Sequence, residues 1–176
     1  MTFTQGDLRI EFTGAMNCRK FDGPDHRLSH CMKAVDLVVE LPDHYVYVEL
    51  KDPQDPQATP QDRAAFTGKL RSGKLEKHLR YKYRDSFLYE WASGRADKPV
   101  DYLVLIALDT LDDAQLLTTT RSLMRSLPQR GPDARPRQRE IVRGCGVFNL
   151  ESWNRSLPHY PATRVGAATP KAGTTP

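Results

Sequence analysis

Between Lys33 and Lys51 the chain alternates apolar and polar positions twice over. Val35, Leu37, Val39 and Leu41 interleave with Ala34, Asp36, Val38 and Glu40, and the alternation resumes after Pro42-Asp43 as Tyr45, Val46, Tyr47, Val48, Glu49, Leu50 and Lys51. A period of two is the signature of a strand, so this stretch predicts two antiparallel strands joined through residues 41–44. Residue 40 then pairs with 45, 38 with 47 and 36 with 49. The apolar partners Val39 with Val46, Leu37 with Val48 and Val35 with Leu50 share one face, and a slip of one residue would scatter them.

Downstream the period changes. Thr59-Pro60 is a helix start with proline at the first position. Over residues 73–92, Leu75, Leu79, Tyr83, Phe87 and Trp91 recur every four residues with Leu88 beside them, predicting a long helix with one apolar stripe and Gly94 just past its end. Residues 100–108 are apolar almost throughout, as in a central strand covered on both faces. Asp112-Asp113 opens a further helix to about Leu127. Residues 141–150 form another strand in which Gly144 and Gly146 suggest a bulge or close packing, and residues 151–157 turn helical with Trp153 as a core anchor. Upstream, Leu8, Ile10 and Phe12 alternate like a short strand, whereas Ala15, Met16 and Phe21 fit a helical turn or two. Residues 23–26 and 128–136 are loops. From Ala162 onward Ala, Gly, Thr and Pro dominate, so residues 162–176 are expected to be a disordered tail after a domain spanning 1–161.

The predicted register has a chemical consequence. It sets Asp36 opposite Glu49, with Cβ atoms about 4.5–5.5 Å apart, and Lys51 two residues along on the same side. Two like charges so placed need something positive between them. A divalent cation satisfies this: Mg²⁺ takes oxygen ligands, usually one or two carboxylates with water and phosphate oxygens. The Lys51 ammonium reaches the same spot, where it would orient an attacking water or offset charge on a phosphate.

The chain has 176 residues and a formal charge of +4, unevenly spread. Residues 1–60 carry ten acids against six bases, residues 61–100 ten bases against five acids, and the remainder ten bases against seven acids. An acidic front and a basic middle suit a metal site beside a polyanion groove. No apolar run approaches the ~20 residues that span a bilayer, and the first residues do not resemble a secretory signal, so no membrane association is expected and the cytoplasm is the expected compartment. Cys18, Cys31 and Cys145 are odd in number and widely spaced, which favours reduced thiols. Cys18, His26, His30 and Cys31 lack paired zinc-ligand spacing. No G-x-S-x-G, Walker lysine loop, H-E-x-x-H or dinucleotide glycine signature is present.

Asp36 followed by Glu49-Leu50-Lys51 resembles the Asp and Glu-x-Lys of the PD-(D/E)XK nuclease superfamily, although Val35 stands where that pattern often has proline. Lys20-Phe21-Asp22, Met32-Lys33-Ala34-Val35-Asp36, Arg84-Asp85-Ser86-Phe87-Leu88 and Trp153-Asn154 are similar to phrases in a group of small bacterial members, and together they cover residues 12–161. The resemblance implies an α/β, restriction-endonuclease-like fold: a mixed central sheet flanked by helices, with Asp36 and Glu49 on neighbouring strands. It also implies a Mg²⁺- or Mn²⁺-dependent nuclease acting on DNA. Asp36, Glu49 and the Leu50 carbonyl would hold the metal, Lys51 would assist the attacking water, and Glu11 or Asp22 would complete the metal site. Lys69, Arg71, Lys74 and Lys77 are the expected contacts to the sugar-phosphate backbone. Cutting both strands of a duplex would call for a homodimer, and no feature names another protein partner. The competing expectation is a catalytically inert nucleic-acid-binding or protein-interaction module on the same fold.

Overall fold

The computed structural model describes residues 1–23, 27–130 and 140–166. Its strands are β1 (Thr2–Gln5), β2 (Leu8–Glu11), β3 (Asn17–Lys20), β4 (Leu37–Glu40), β5 (Tyr45–Lys51), β6 (Val100–Ile106), β7 (Val142–Phe148) and β8 (Ala162–Arg164). Its helices are α1 (Pro60–Arg71), α2 (Lys74–Ala92), α3 (Asp113–Ser126) and α4 (Leu150–Ser156). Strands β3-β4-β5-β6-β7 form a five-stranded mixed sheet, and β1-β2-β8 form a three-stranded antiparallel one. In the larger sheet β3, β4 and β5 are antiparallel, whereas β5, β6 and β7 run parallel. The α1-α2 pair connects β5 to β6, and α3 connects β6 to β7. None of the described helices is long and apolar enough to cross a membrane.

Strand parity sorts the core into two layers. Val38, Tyr45, Tyr47, Tyr102 and Val104 face one way and pack with Leu75, Leu79 and Tyr83 of α2 and Leu116 and Leu123 of α3. Leu37, Val39, Val46, Val48, Leu103 and Leu105 face the other way, onto Leu8, Ile10 and Phe12 of the small sheet and Trp153 of α4. The main sheet is therefore covered by three helices on one face and by the small sheet with α4 on the other.

Local chemistry accounts for the element ends. Thr59, Asp112 and Asn149 each cap a helix, exchanging hydrogen bonds with the residue three positions on. Gly94, at φ 73°, takes the left-handed position just beyond α2. The pairing of β6 with β7 jumps from Val100↔Val142 to Asp101↔Gly144, leaving Arg143 as the extra residue of a bulge. A Cβ at Gly146 would lie 2.4 Å from the Phe148 ring, so a side chain there would force the ring to move.

Three sequence expectations are corrected. Residues 13–21 contain no helical turn: after β2 the chain makes a turn and enters β3, whose residues pair with β4. The tail does not begin at 162, because Ala162–Arg164 pair with β2, Ala162 is buried, and Arg164 is held by Asp7 and Asp52; residues 167–176 lie outside the described residues, as do Pro24 to His26 and most of the 128–136 loop. The apolar stripe of α2 fades, leaving Leu88 and Trp91 exposed. Residues spaced strictly by four advance about 40° per step around a helix of 3.6 residues per turn, so Trp91 has rotated off the face that Leu75 and Leu79 bury. Asp85, Ser86 and Glu90 take its place inside.

Candidate active site

Strands β4 and β5 pair as Leu37↔Val48, Val38↔Tyr47, Val39↔Val46 and Glu40↔Tyr45, the register read from the alternation. Asp36 lies one step before β4, where the ladder becomes irregular. Its N–H donates to the Val48 carbonyl at 3.1 Å, and its Oδ2 accepts the Leu50 N–H at 2.6 Å. This departure corrects one expected pair: Val35 is buried on the helix side of the sheet, not beside Leu50.

Helix α2 causes the departure. Its Asp85 Oδ2 accepts the Lys33 N–H at 3.0 Å, and its Ser86 Oγ accepts the Val35 N–H at 2.9 Å. Two side chains of the helix thus fix the segment that delivers Asp36. Ser86→Ala would leave the buried Val35 N–H without its partner, at a cost of about 1–3 kcal/mol. Urea unfolding should report that loss, with an unchanged slope on denaturant.

Asp36, Glu49 and Lys51 converge as expected, on the helix-covered face. Asp36 is 3% exposed and Glu49 is fully buried. Lys51 Nζ contacts Glu49 Oε1 and donates to the Leu50 carbonyl at 3.1 Å. A fourth group, absent from the sequence reading, joins them: Lys82 of α2 places its Nζ 3.0 Å from Asp36 Oδ1 and 2.7 Å from Glu49 Oε1. The positive charge between the two acids is, in this structure, an ammonium. Lys82 was legible in principle, since it stands seven and three residues after Leu75 and Leu79 and four before Ser86, on the buried face of α2. A lysine at such a position needs a partner inside.

The charges act on one another. Burial, with the Asp36 charge beside it, pushes the Glu49 carboxyl above the usual glutamate range against the pull of Lys51 and Lys82. Burial works against the Lys82 ammonium too, but Glu49 and Asp36 together carry its pKa above the ordinary lysine value. Glu49 Oε2 is buried and has no hydrogen-bond partner among the described residues. Two carboxylates, that of Glu49 with this unpartnered oxygen, and the Leu50 carbonyl make an all-oxygen donor set of the kind a hard divalent cation takes. The donors fit such an ion, and Lys82 Nζ lies between the two acids in this structure.

Of the two further acids considered, Asp22 lies near the site: burial and then the Asp36 charge raise its pKa, with Lys82 opposing. It follows a strand, not a helix. Glu11 is on β2 of the other sheet, exposed and paired with Arg9 at 2.8 Å.

The site opens into a cleft of about 420 Å³ between β5, α1 and α2, lined among others by Glu49, Lys51, Lys69, His78 and Lys82. His78 was also missed from sequence. Its pKa is lowered by partial burial and then by the charges of Lys33, Lys69, Lys77 and Lys51. Lys69 lines the cleft, whereas Lys77 does not line it and has its Nζ 5.8 Å from the centre of the Tyr81 ring. Arg71 lines a separate hollow between α1 and α3 with Leu70, Leu108 and Leu111. Lys74 is exposed at the start of α2 and lines neither hollow. Cys18, Cys31 and Cys145 are free thiols, and Arg84 pairs with Asp85 at 2.8 Å.

In comparisons with known proteins, no family model, no curated protein and no solved structure matches the chain.

Proposed function

We propose that this protein is a divalent-cation-dependent nuclease with a restriction-endonuclease-like fold, hydrolysing phosphodiester bonds of DNA. The observation that carries the reading is the convergence of Asp36, Glu49, the Leu50 carbonyl and Lys51, of which Glu49 and Lys51 line a cleft that also holds Lys69 and Lys82. Asp36, Glu49 and the Leu50 carbonyl would hold Mg²⁺ or Mn²⁺. When bound, such an ion supplies Lewis acidity toward a phosphoryl oxygen and lowers the pKa of water.

The chain's own residues do the rest. Lys51, fixed between the Glu49 carboxylate and the Leu50 carbonyl, holds the attacking water oxygen in line with phosphorus. As the new P–O bond forms and the bond to the leaving oxygen breaks, its ammonium offsets the charge gathering on the phosphoryl oxygens. Lys69 and Lys77, with Lys33, hold the backbone phosphates on either side without reading sequence. Replacing both Lys69 and Lys77 with Ala should weaken DNA binding equally across sequences and reduce the slope of log affinity on log salt by about 2, as read by fluorescence anisotropy at several salt concentrations.

The reading is tested by incubating the purified protein with supercoiled, linear and branched DNA and with RNA, in Mg²⁺, Mn²⁺ or chelator. Cleavage of DNA that requires the cation and is lost in Lys51→Ala supports it; no cleavage of any substrate, or cleavage indifferent to chelator, overturns it. Scission of both strands at one place would further indicate a homodimer with two sites. The setting proposed is cytoplasmic, in keeping with the three free thiols. One observation favours the second reading, a catalytically inert nucleic-acid-binding or protein-interaction module: Lys51 and Lys82 together already neutralise the acid pair. Such a module would bind DNA in the same anisotropy assay and leave it intact in every cation.

A further inference from the structure

Lys82 reaches the acid pair from a different element than Lys51. It lies on α2, across from the β4-β5 hairpin, and contacts one oxygen of each acid, Asp36 Oδ1 at 3.0 Å and Glu49 Oε1 at 2.7 Å. A divalent ion held between the two carboxylates would draw on the same two groups, beside the position where the Lys82 ammonium lies. With both lysines in place the four charges cancel, so nothing in the net charge draws a cation in. Without Lys82 the buried cluster carries one uncompensated negative charge and two facing carboxylates. Lys82 also lines the open cleft, and about a fifth of its side chain is exposed, so it has somewhere to go when displaced.

We propose that Lys82 is a tethered counter-ion that competes with the divalent cation for the position between Asp36 and Glu49, and so sets the cation affinity of the site. This rests on the nuclease reading for the identity of the cation, and deepens it. An ammonium displaced into the cleft would face the phosphate held there, so substrate phosphate compensates for the contacts Lys82 gives up. Cation loading and substrate binding are thereby coupled. Lys82 is a positioning residue in this scheme, acting through the occupancy of the acid pair.

The test is Mn²⁺ binding to the full-length chain by isothermal calorimetry, without nucleic acid, for the parent and Lys82→Gln. Removing a positive charge within about 3–4 Å of the ion position should tighten Mn²⁺ binding at least about tenfold. Mn²⁺ should also raise the melting temperature of the variant more than that of the parent. A side chain with only a structural role would leave the affinity unchanged or weaken it, and either result overturns the proposal. If Lys82→Gln is unfolded without cation, a Mn²⁺ titration followed by circular dichroism replaces calorimetry: refolding as Mn²⁺ is added supports the competition, and failure to refold overturns it. The outcomes separate from those of the nuclease reading. Cation-dependent cleavage by the parent without tighter binding by Lys82→Gln sinks the counter-ion role and leaves the nuclease; tight Mn²⁺ binding by Lys82→Gln with no cleavage by any form does the reverse.

Discussion

Asp36→Asn should reduce cation-dependent nicking of supercoiled DNA by about a thousandfold or more, equivalent to about 4 kcal/mol of barrier, while the chain stays folded. The size of the effect follows from what Asp36 touches. Its Oδ1 meets Lys82 and its Oδ2 accepts the Leu50 N–H, so it carries half the negative charge of the site and fixes the strand that bears Glu49 and Lys51. Asparagine keeps the shape and one accepting oxygen but removes the charge a cation needs. Alanine is the poorer probe: it would leave the Leu50 N–H and Lys82 ammonium without their carboxylate, and breaking a buried pair in this way costs about 3–5 kcal/mol. Nicking followed on agarose gels, beside far-UV circular dichroism of both proteins, separates loss of chemistry from loss of fold.

Trp153→Ala should be the most damaging single change to stability, at about 3–5 kcal/mol. For a chain of this size that corresponds to a fall in melting temperature of about 10 °C. Trp153 is fully buried on the face of the main sheet opposite the site. It packs edge-on against Phe148, with ring centres 5.7 Å apart, and its Nε1 donates to the Tyr160 carbonyl at 2.5 Å. The indole thus ties α4 and the segment leading into β8 to the sheet, and β8 closes the small sheet against β2. Because the residue lies on the far face from Asp36 and Glu49, Mn²⁺ affinity at a temperature where the variant is still folded should match that of the parent. A stability loss below 1 kcal/mol would contradict the packing role.

How much of this was legible beforehand depended on whether the determining interactions are local. The β4-β5 register could be read because its period of two and its turn lie within about twenty residues, and burial of one face allows only one pairing. The starts of α1 and α3 could be read because Thr59 and Asp112 cap their helices through residues three positions away. The small sheet could not: Leu8 pairs with Arg164 across nearly the whole chain, and a three-residue strand carries almost no periodicity of its own. Val35 was misplaced for a related reason. Alternation assumes a continuous ladder, and the ladder is interrupted at Asp36 by Ser86 and Asp85 of a helix some fifty residues away.

The site divides in the same way. Asp36, Glu49 and Lys51 were legible because strand parity brings them together. Lys82 was not singled out, because the lysines and arginines of α2 look alike in sequence until one asks which of them shares a face with Leu75 and Leu79. The basic residues proposed for DNA are likewise told apart only by their surroundings in the fold. Lys69 and Lys77 contribute to the field around His78, whereas Arg71 points into the α1-α3 hollow. The four were grouped by proximity to the site in sequence, and even Lys69 and Arg71, two residues apart on α1, line different hollows.

Asp36 and Glu49 are proposed to share a divalent cation. Calorimetric titration of Mn²⁺ into the parent protein and Asp36→Asn, with a short duplex present to supply phosphate oxygens, tests it most directly. The parent should show a Mn²⁺ site that disappears in the variant. Absence of Mn²⁺ binding by the parent, or equal binding by both proteins, would contradict it and leave the four charges as a self-neutralised cluster holding α2 to the hairpin.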